Sequence, residues 1–359
     1  MIEALRNWFF HKNSADCPAK KKLFIHAGTY KTGTTYFQNI LYSNAAGLEK
    51  TGLLYPETGL GLHTAHNHHA HRILGIDIAA GRKNRFPEII DTLAEAPHLK
   101  SALVSYEGFG HLPTIGKLLT CKPCFDRVDL HGILVFRPHI DFAISFYREL
   151  CQHVSFKGNL TYMMSKPGPD VHHHWQKTLE YSLIVKRWLQ LTGPKNLHLL
   201  SYRRIRHDSA QKLLAITGHE YTLVPPAGSE HNPTLSAPTA ELMRRMNRQA
   251  FNTKNRHKLA AELLQLDEKF PDFYKYCEIT HDQAIHLEKN FERDRQFLKA
   301  YGFNPETDLA VGDNWRWGTE TNMEEAVMVG HEALVKQLKE KGEATLANIV
   351  ATALEGKAE

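Results

Sequence analysis

The sequence predicts an α/β fold: a central parallel sheet flanked by helices, followed by a helical C-terminal extension. Three observations carry the prediction. Short apolar runs at 23–25, 101–106, 133–136 and 197–202 have the length and composition of buried parallel strands. The stretches between them show helical spacing of apolar residues, and the first run meets its helix through a glycine-bounded turn. A composition of 42% hydrophobic and 23% charged residues over 359 residues is that of a globular chain with a sizeable core and no internal repeat. We read a leader over 1–21, an α/β domain over 22–302 and a helical extension over 303–359.

Residues 22–44 contain the first strand, turn and helix. Leu23, Phe24 and Ile25 form the apolar run, and Phe37, Ile40 and Leu41 recur at helical spacing. Between them lie Gly28-Thr29-Tyr30-Lys31-Thr32-Gly33-Thr34-Thr35. Such a turn brings successive N–H groups and the positive end of a helix to one point, which makes a cradle for phosphate or sulfate. In nucleotide-binding P-loops, G-x-x-x-x-G-K-S/T, the lysine follows the second glycine and the next hydroxyl residue binds Mg²⁺. Here that slot is Thr34, and the lysine of the loop, Lys31, precedes Gly33 by two residues.

The K-T-G-T-T arrangement resembles the 5′-phosphosulfate loop of sulfotransferases that use 3′-phosphoadenosine 5′-phosphosulfate (PAPS), in its bacterial carbohydrate-type form. The likeness continues through Gln38, Leu41, Asn44 and Gly52-x2-Tyr55-Pro56. It implies a P-loop-like three-layer fold, PAPS as donor, its 3′,5′-bisphosphate PAP as product, and a hydroxyl acceptor on a carbohydrate or glycolipid. Gly28 to Thr35 would then hold the phosphosulfate and Lys31 would stabilise the leaving phosphate. A sulfuryl group in transfer carries less charge than a phosphoryl group, so one ammonium, the loop amides and the helix dipole could suffice without a metal.

A net charge of +5 suits anionic ligands and is too mild to indicate nucleic acid, although 23 histidines add charge below about pH 6.5. Cys17, Cys121, Cys124, Cys151 and Cys277 are an odd, scattered set rather than a disulfide framework. Cys121-Lys-Pro-Cys124 lacks the second pair that a zinc site needs. No apolar run approaches ~20 residues, and the leader lacks an apolar signal-peptide region, so no membrane span is expected. The expected setting is cytoplasmic, with Leu5, Trp8, Phe9 and Phe10 available to the inner membrane face or another subunit, or simply a lightly packed terminus.

After a short strand at 52–56 comes a histidine-rich stretch, His63, His66, His68, His69 and His71. No carboxylate or cysteine interrupts it, so a metal site competes with a titrating cleft rim and with a solvated helix start. An amphipathic helix is expected over 86–99, with Pro87 at its start. The strand 101–106 follows, and Glu107 stands directly after it. Carboxyl ends of parallel strands line the ligand crevice, which makes Glu107 the leading general base, with His68 and His69 as rivals. A capping role for Glu107 is the competing reading.

The run 133–136 ends at Arg137-Pro138, and Ser145 follows eight residues after the arginine, two turns into the next helix. A planar guanidinium suits a phosphate. R-P-x-x-x-x-x-S resembles the 3′-phosphate signature of sulfotransferases. Residues 151–178 read as a loop or insertion that shapes acceptor choice. A helix is expected over 179–191 and a strand over 197–202, ending at Tyr202. Relatives place a tyrosine there against the adenine, often as Y-E-x-L, whereas here Arg203 replaces the glutamate. Arg203, Arg204 and Arg206 read as a solvated helix entrance or as partners of acidic groups. Asn232-Pro-Thr-Leu-Ser236 resembles a relative's N-x-S-L-S loop near the 3′-phosphate, with Thr234 in a serine slot; Ser236 could equally cap the next helix. Helices are expected from 255 onward, and the extension from 303 is expected to serve as a lid, an oligomer contact or a solvated appendage. The resemblance points to a sulfotransferase; a P-loop kinase or NTPase and a non-catalytic nucleotide-binding protein are the alternatives.

Overall fold

The computed structural model describes residues 19–62, 69–165, 177–226, 234–249, 253–311, 317 and 320–353. Strands form at the apolar runs: β1 (Lys22–His26), β2 (Leu53–Leu54), β3 (Ser101–Ser105), β4 (Asp129–Phe136) and β5 (Leu197–Ser201). They pair in parallel in the order β2-β3-β1-β4-β5. The P-loop-like strand β1 is therefore central. Order reverses across it, with β2 and β3 on one side and β4 and β5 on the other, and such a switch point opens a crevice at the carboxyl edge.

Alternation along the strands feeds two cores. Leu23, Ile25, Ala102, Val104, Leu134 and Phe136 pack on one face, and Phe24, Leu103, Ile133 and Val135 on the other. Helix α1 (Thr34–Ser43) covers the second face with Phe37, Ile40 and Leu41. Helices α2 (Phe86–Glu95), α3 (His139–His153) and α4 (Tyr181–Thr192) cover the first, with Ile89, Ile140 and Trp188 among the side chains they bury. A fully buried Leu, Ile or Phe contributes about 1.5–3 kcal/mol, so both faces are needed to hold the sheet. The result is the expected α/β fold in three layers.

Strand β4 begins four residues before the expected run, because Asp129 to Gly132 pair with β1 despite the polar Asp129 and His131 among them. Gly132 has a packing role there: a Cβ at this position would come within 2.7 Å of the Trp188 ring. Where a loop was expected from 151, α3 runs on to His153 and a short helix occupies Leu160–Ser165. Residues 166–176 lie outside the described part.

A third core joins helices α5 (Ala237–Met246), α6 (Thr253–Lys269), α7 (Glu320–Glu340) and α8 (Ala344–Ala353) through Leu242, Leu263, Leu334 and Val350. The C-terminal helices thus share an interior with helices that precede residue 302. Among the described residues no helix is long and apolar enough to cross a membrane, and Cys121, Cys124, Cys151 and Cys277 are free thiols.

Candidate active site

Four of the five parallel strands deliver expected residues to the carboxyl edge. The β1 loop supplies Gly28 to Gly33, β3 supplies Glu107, β4 supplies Arg137, and β5 supplies Tyr202. The loop is tied to the sheet beyond the last paired residue: the Ala27 N–H donates to the Ile133 carbonyl and the Thr29 N–H to the Val135 carbonyl, both at 2.9 Å. Gly28 and Gly33 have φ of 78° and 79°, which glycine adopts without penalty. Gly28 also meets a close neighbour, since a Cβ there would lie 2.9 Å from the Glu107 Cβ. The glycine is what lets the β3 edge come up against the loop.

Lys31 is a non-glycine residue in the left-handed region, with φ of 61°. That conformation costs about 1–2 kcal/mol for an L-residue, and such strain collects at functional sites. Arg137 holds it in place, its Nη1 donating to the Lys31 carbonyl at 3.0 Å. The Arg137 guanidinium lies 5.2 Å from the centre of the Tyr202 ring, and its Nε is buried without a partner. The Arg137 backbone is pinned in turn, because the Tyr181 hydroxyl donates to its carbonyl at 2.9 Å. Asp294 fixes the start of that helix by accepting from the Tyr181 and Ser182 N–H groups.

A cavity of about 540 Å³ opens at this rim, lined by Lys31, Gly33, Thr34, Thr35, Glu107 and Ser145, with Tyr30, Tyr36, Glu149, Tyr202, Arg206, His207, Ser209 and Thr234 around them. The first-turn N–H groups of α1 have no helical acceptor and face the same end. Two threonines of the loop have other work: the Thr29 hydroxyl donates to the Val135 carbonyl at 3.1 Å and the Thr32 hydroxyl to the Thr29 carbonyl at 2.6 Å. They shape the cradle from beneath. The Tyr30 ring lies tilted against His111, with centroids 4.8 Å apart and planes at 33°.

Glu107 opens a 3₁₀ turn at Glu107–Gly110, so a local structural role and exposure to the cavity coexist. Its Oε2 accepts from Gln38 Nε2 at 3.1 Å. Burial pushes its carboxyl above the usual range, and nearby Glu149 adds to the rise, while the Gln38 hydrogen bond and Arg72 oppose it. A carboxylate with a raised pKa and an open cavity beside it is a stronger proton acceptor than an ordinary glutamate.

Of the histidine stretch, positions 63–68, including His68, lie outside the described residues. His69 Nδ1 lies 2.9 Å from Asn39 Oδ1, and its ring stacks on Tyr42 at 4.2 Å. His71 is a core residue. Its Nδ1 accepts from the Ser105 N–H at 3.1 Å, so its Nε2 carries the proton and donates to the Pro56 carbonyl at 2.8 Å. Burial lowers its pKa to about 4. Among the described residues no group of three or more potential ligands could hold a metal ion.

Asn232 also lies outside the described residues. Ser236 is fully buried and does not line the cavity. It caps α5, accepting from the Thr239 N–H, and donates to Asp267 Oδ1 at 2.6 Å. The physical reason is burial: this hydroxyl satisfies a helix terminus and a carboxylate inside the third core. Arg203 pairs with Asp141 at 3.4 Å and Arg204 with Asp308, so both tie elements together, whereas Arg206 lines the cavity.

No protein-family profile and no curated protein matches the chain. Two solved structures are similar in part. A sulfotransferase from Alicyclobacillus acidocaldarius shares 14% identity at a TM-score of 0.37, over 70% of this chain and 97% of that one. A sulfotransferase domain from the curacin biosynthetic pathway shares 12% identity at a TM-score of 0.33, over 58% of this chain and 76% of that one. Neither likeness is strong enough to bear on function.

Glu149 and Arg206 are cavity residues that sequence reasoning missed. Both had a signal. Glu149 stands one helical turn after Ser145, and Arg206 one turn after Tyr202, where its N–H donates to the Tyr202 carbonyl at 2.9 Å. Residues four apart share a face, so each could have been found from its neighbour.

Proposed function

We propose that this chain is a PAPS-dependent sulfotransferase acting on a hydroxyl acceptor, with a carbohydrate or glycolipid as the acceptor class. The observation that carries the reading is the hydrogen bond from Arg137 to the Lys31 carbonyl. It brings the Arg137 guanidinium against the loop that carries Lys31, 106 residues away in the chain, at one sheet edge. An adenosine carrying phosphate at both its 3′ and 5′ positions needs that pairing, and a simple nucleotide does not.

The residues present fit such a donor. The Gly28–Gly33 cradle, the α1 amides and Thr34 and Thr35 would hold the 5′ group. Ser145 and Tyr202 line the cavity, and Arg137, which lies against the Tyr202 ring and has a buried, unpartnered Nε, would turn to hold the 3′-phosphate with Ser145 while Tyr202 offers an aromatic face for the base. Glu107 accepts the proton of the acceptor hydroxyl as that oxygen forms its bond to sulfur. The bond from sulfur to the bridging phosphate oxygen breaks, its electron pair stays on that oxygen, and Lys31 stabilises the charge that develops there. Acceptor proton, sulfuryl group and electron pair are thereby all accounted for, with PAP as the leaving product.

Transfer of ³⁵S from labelled PAPS to a panel of glycans and glycolipids tests the reading. The expected result is label in at least one acceptor, and its loss in Lys31→Ala with the melting temperature unchanged. Full transfer by Lys31→Ala would overturn the role given to that ammonium.

A further inference from the structure

Glu149 lies on α3 with its Oε2 3.2 Å from Lys31 Nζ. The approach is close but not aligned as a hydrogen bond, and this oxygen is buried without a hydrogen-bond donor. The Lys31 backbone sits in the left-handed region with φ of 61° and is tied through its carbonyl to Arg137. Only the side chain is free to turn. A lysine ammonium is a compact charge on a flexible four-carbon stem, so it can turn from the carboxylate toward a second anion that enters the cavity both residues line.

We propose that Glu149 is a positioning residue for Lys31: it holds the ammonium over the cavity, and the incoming phosphosulfate takes the ammonium from it. The proposal rests on the sulfotransferase reading of this cavity and adds to it a carboxylate that competes with the donor. The exchange has a direction that can be measured. Before the donor binds, the ion pair must be given up, so donor and product affinity are lower than the cradle alone would provide. When product leaves, Glu149 recaptures the ammonium, which speeds release. The pair is only partly shielded, with side chains 19% and 38% exposed, so its contribution is that of a surface ion pair.

Calorimetric titration of PAP into wild type, Glu149→Gln, Lys31→Met and the double variant tests this. Glu149→Gln should bind PAP about two- to fivefold more tightly, through a slower off-rate. In the Lys31→Met background the same change should have no effect, because no ammonium is left to exchange. An unchanged or weaker affinity in Glu149→Gln would overturn the proposal. So would a gain that persists in Lys31→Met, since Glu149 would then act only by repelling the anion. A wild-type protein that takes up no PAP would remove both this proposal and the sulfotransferase reading, whereas normal PAP binding with no change in Glu149→Gln removes the exchange alone.

Discussion

Arg137→Lys separates two roles that the arginine combines. In the structure its Nη1 holds the Lys31 carbonyl, its face lies against Tyr202, and its Nε is buried and unpartnered. A lysine keeps the charge but has no second edge. Its single nitrogen cannot reproduce the fork that lets a guanidinium hold the loop carbonyl with one edge and a phosphate with another. A hydrogen bond to a charged group contributes about 1.5–3 kcal/mol, and the stacked guanidinium adds about 0.5–1 kcal/mol at a partly exposed site. Loss of the phosphate contact therefore predicts a PAP affinity about 10- to 100-fold weaker. Adenosine 5′-monophosphate, which lacks the 3′-phosphate, should lose no more than about threefold, the share due to a looser loop. Titration calorimetry with both ligands reads the difference, and an unchanged melting temperature shows that the fold is intact. Equal losses for the two ligands would refute the assignment, because Arg137 would then act only as a strut for the loop.

Two further outcomes follow from the buried titrating groups. Glu107 has a raised pKa, so the acidic limb of the rate profile should lie above the ordinary glutamate range, with activity rising with pH; Glu107→Gln should lower kcat by about 10²–10⁴. The sign for stability is opposite, since a carboxyl whose folded pKa is raised binds its proton more tightly when folded. Wild type should lose stability as pH rises from 4.5 through the folded pKa, and the melting temperature of Glu107→Gln should gain on it over that window. His71, lowered from 6.5 to about 4, contributes stability that is complete above 6.5 and is lost as pH falls toward 4, about 3 kcal/mol in all. Urea midpoints at several pH values should show that slope in wild type and a shallower one in His71→Gln; equal slopes would assign it to another buried group such as His26.

The legible part of the molecule was the part written locally. Each apolar run that ends in a candidate site residue, such as 101–106 before Glu107 or 133–136 before Arg137, places that residue at the carboxyl edge by the geometry of parallel strands alone. What depended on long-range packing was not readable. His71 resembles its neighbours in composition, yet the Ser105 N–H and the Pro56 carbonyl make it a core residue. Ser236 carries the same signature whether it caps a helix or meets a phosphate, and Asp267, 31 residues away, decides the matter. The early start of β4 depends on the pairing of Asp129 to Gly132 with β1, a strand more than a hundred residues earlier. The helical spacing from Ser145 could place Glu149 at the cavity, but its pairing with Lys31 could not be read, because that lysine belongs to a loop more than a hundred residues earlier.

Titration of the wild-type protein with PAP in the presence of a chelator, compared with ATP plus Mg²⁺, tests the central claim most directly. The account predicts a single PAP site that needs no metal, with ATP·Mg²⁺ at least about tenfold weaker. Tight ATP·Mg²⁺ binding with no uptake of PAP would contradict it and identify the Lys31 loop as part of a kinase or NTPase.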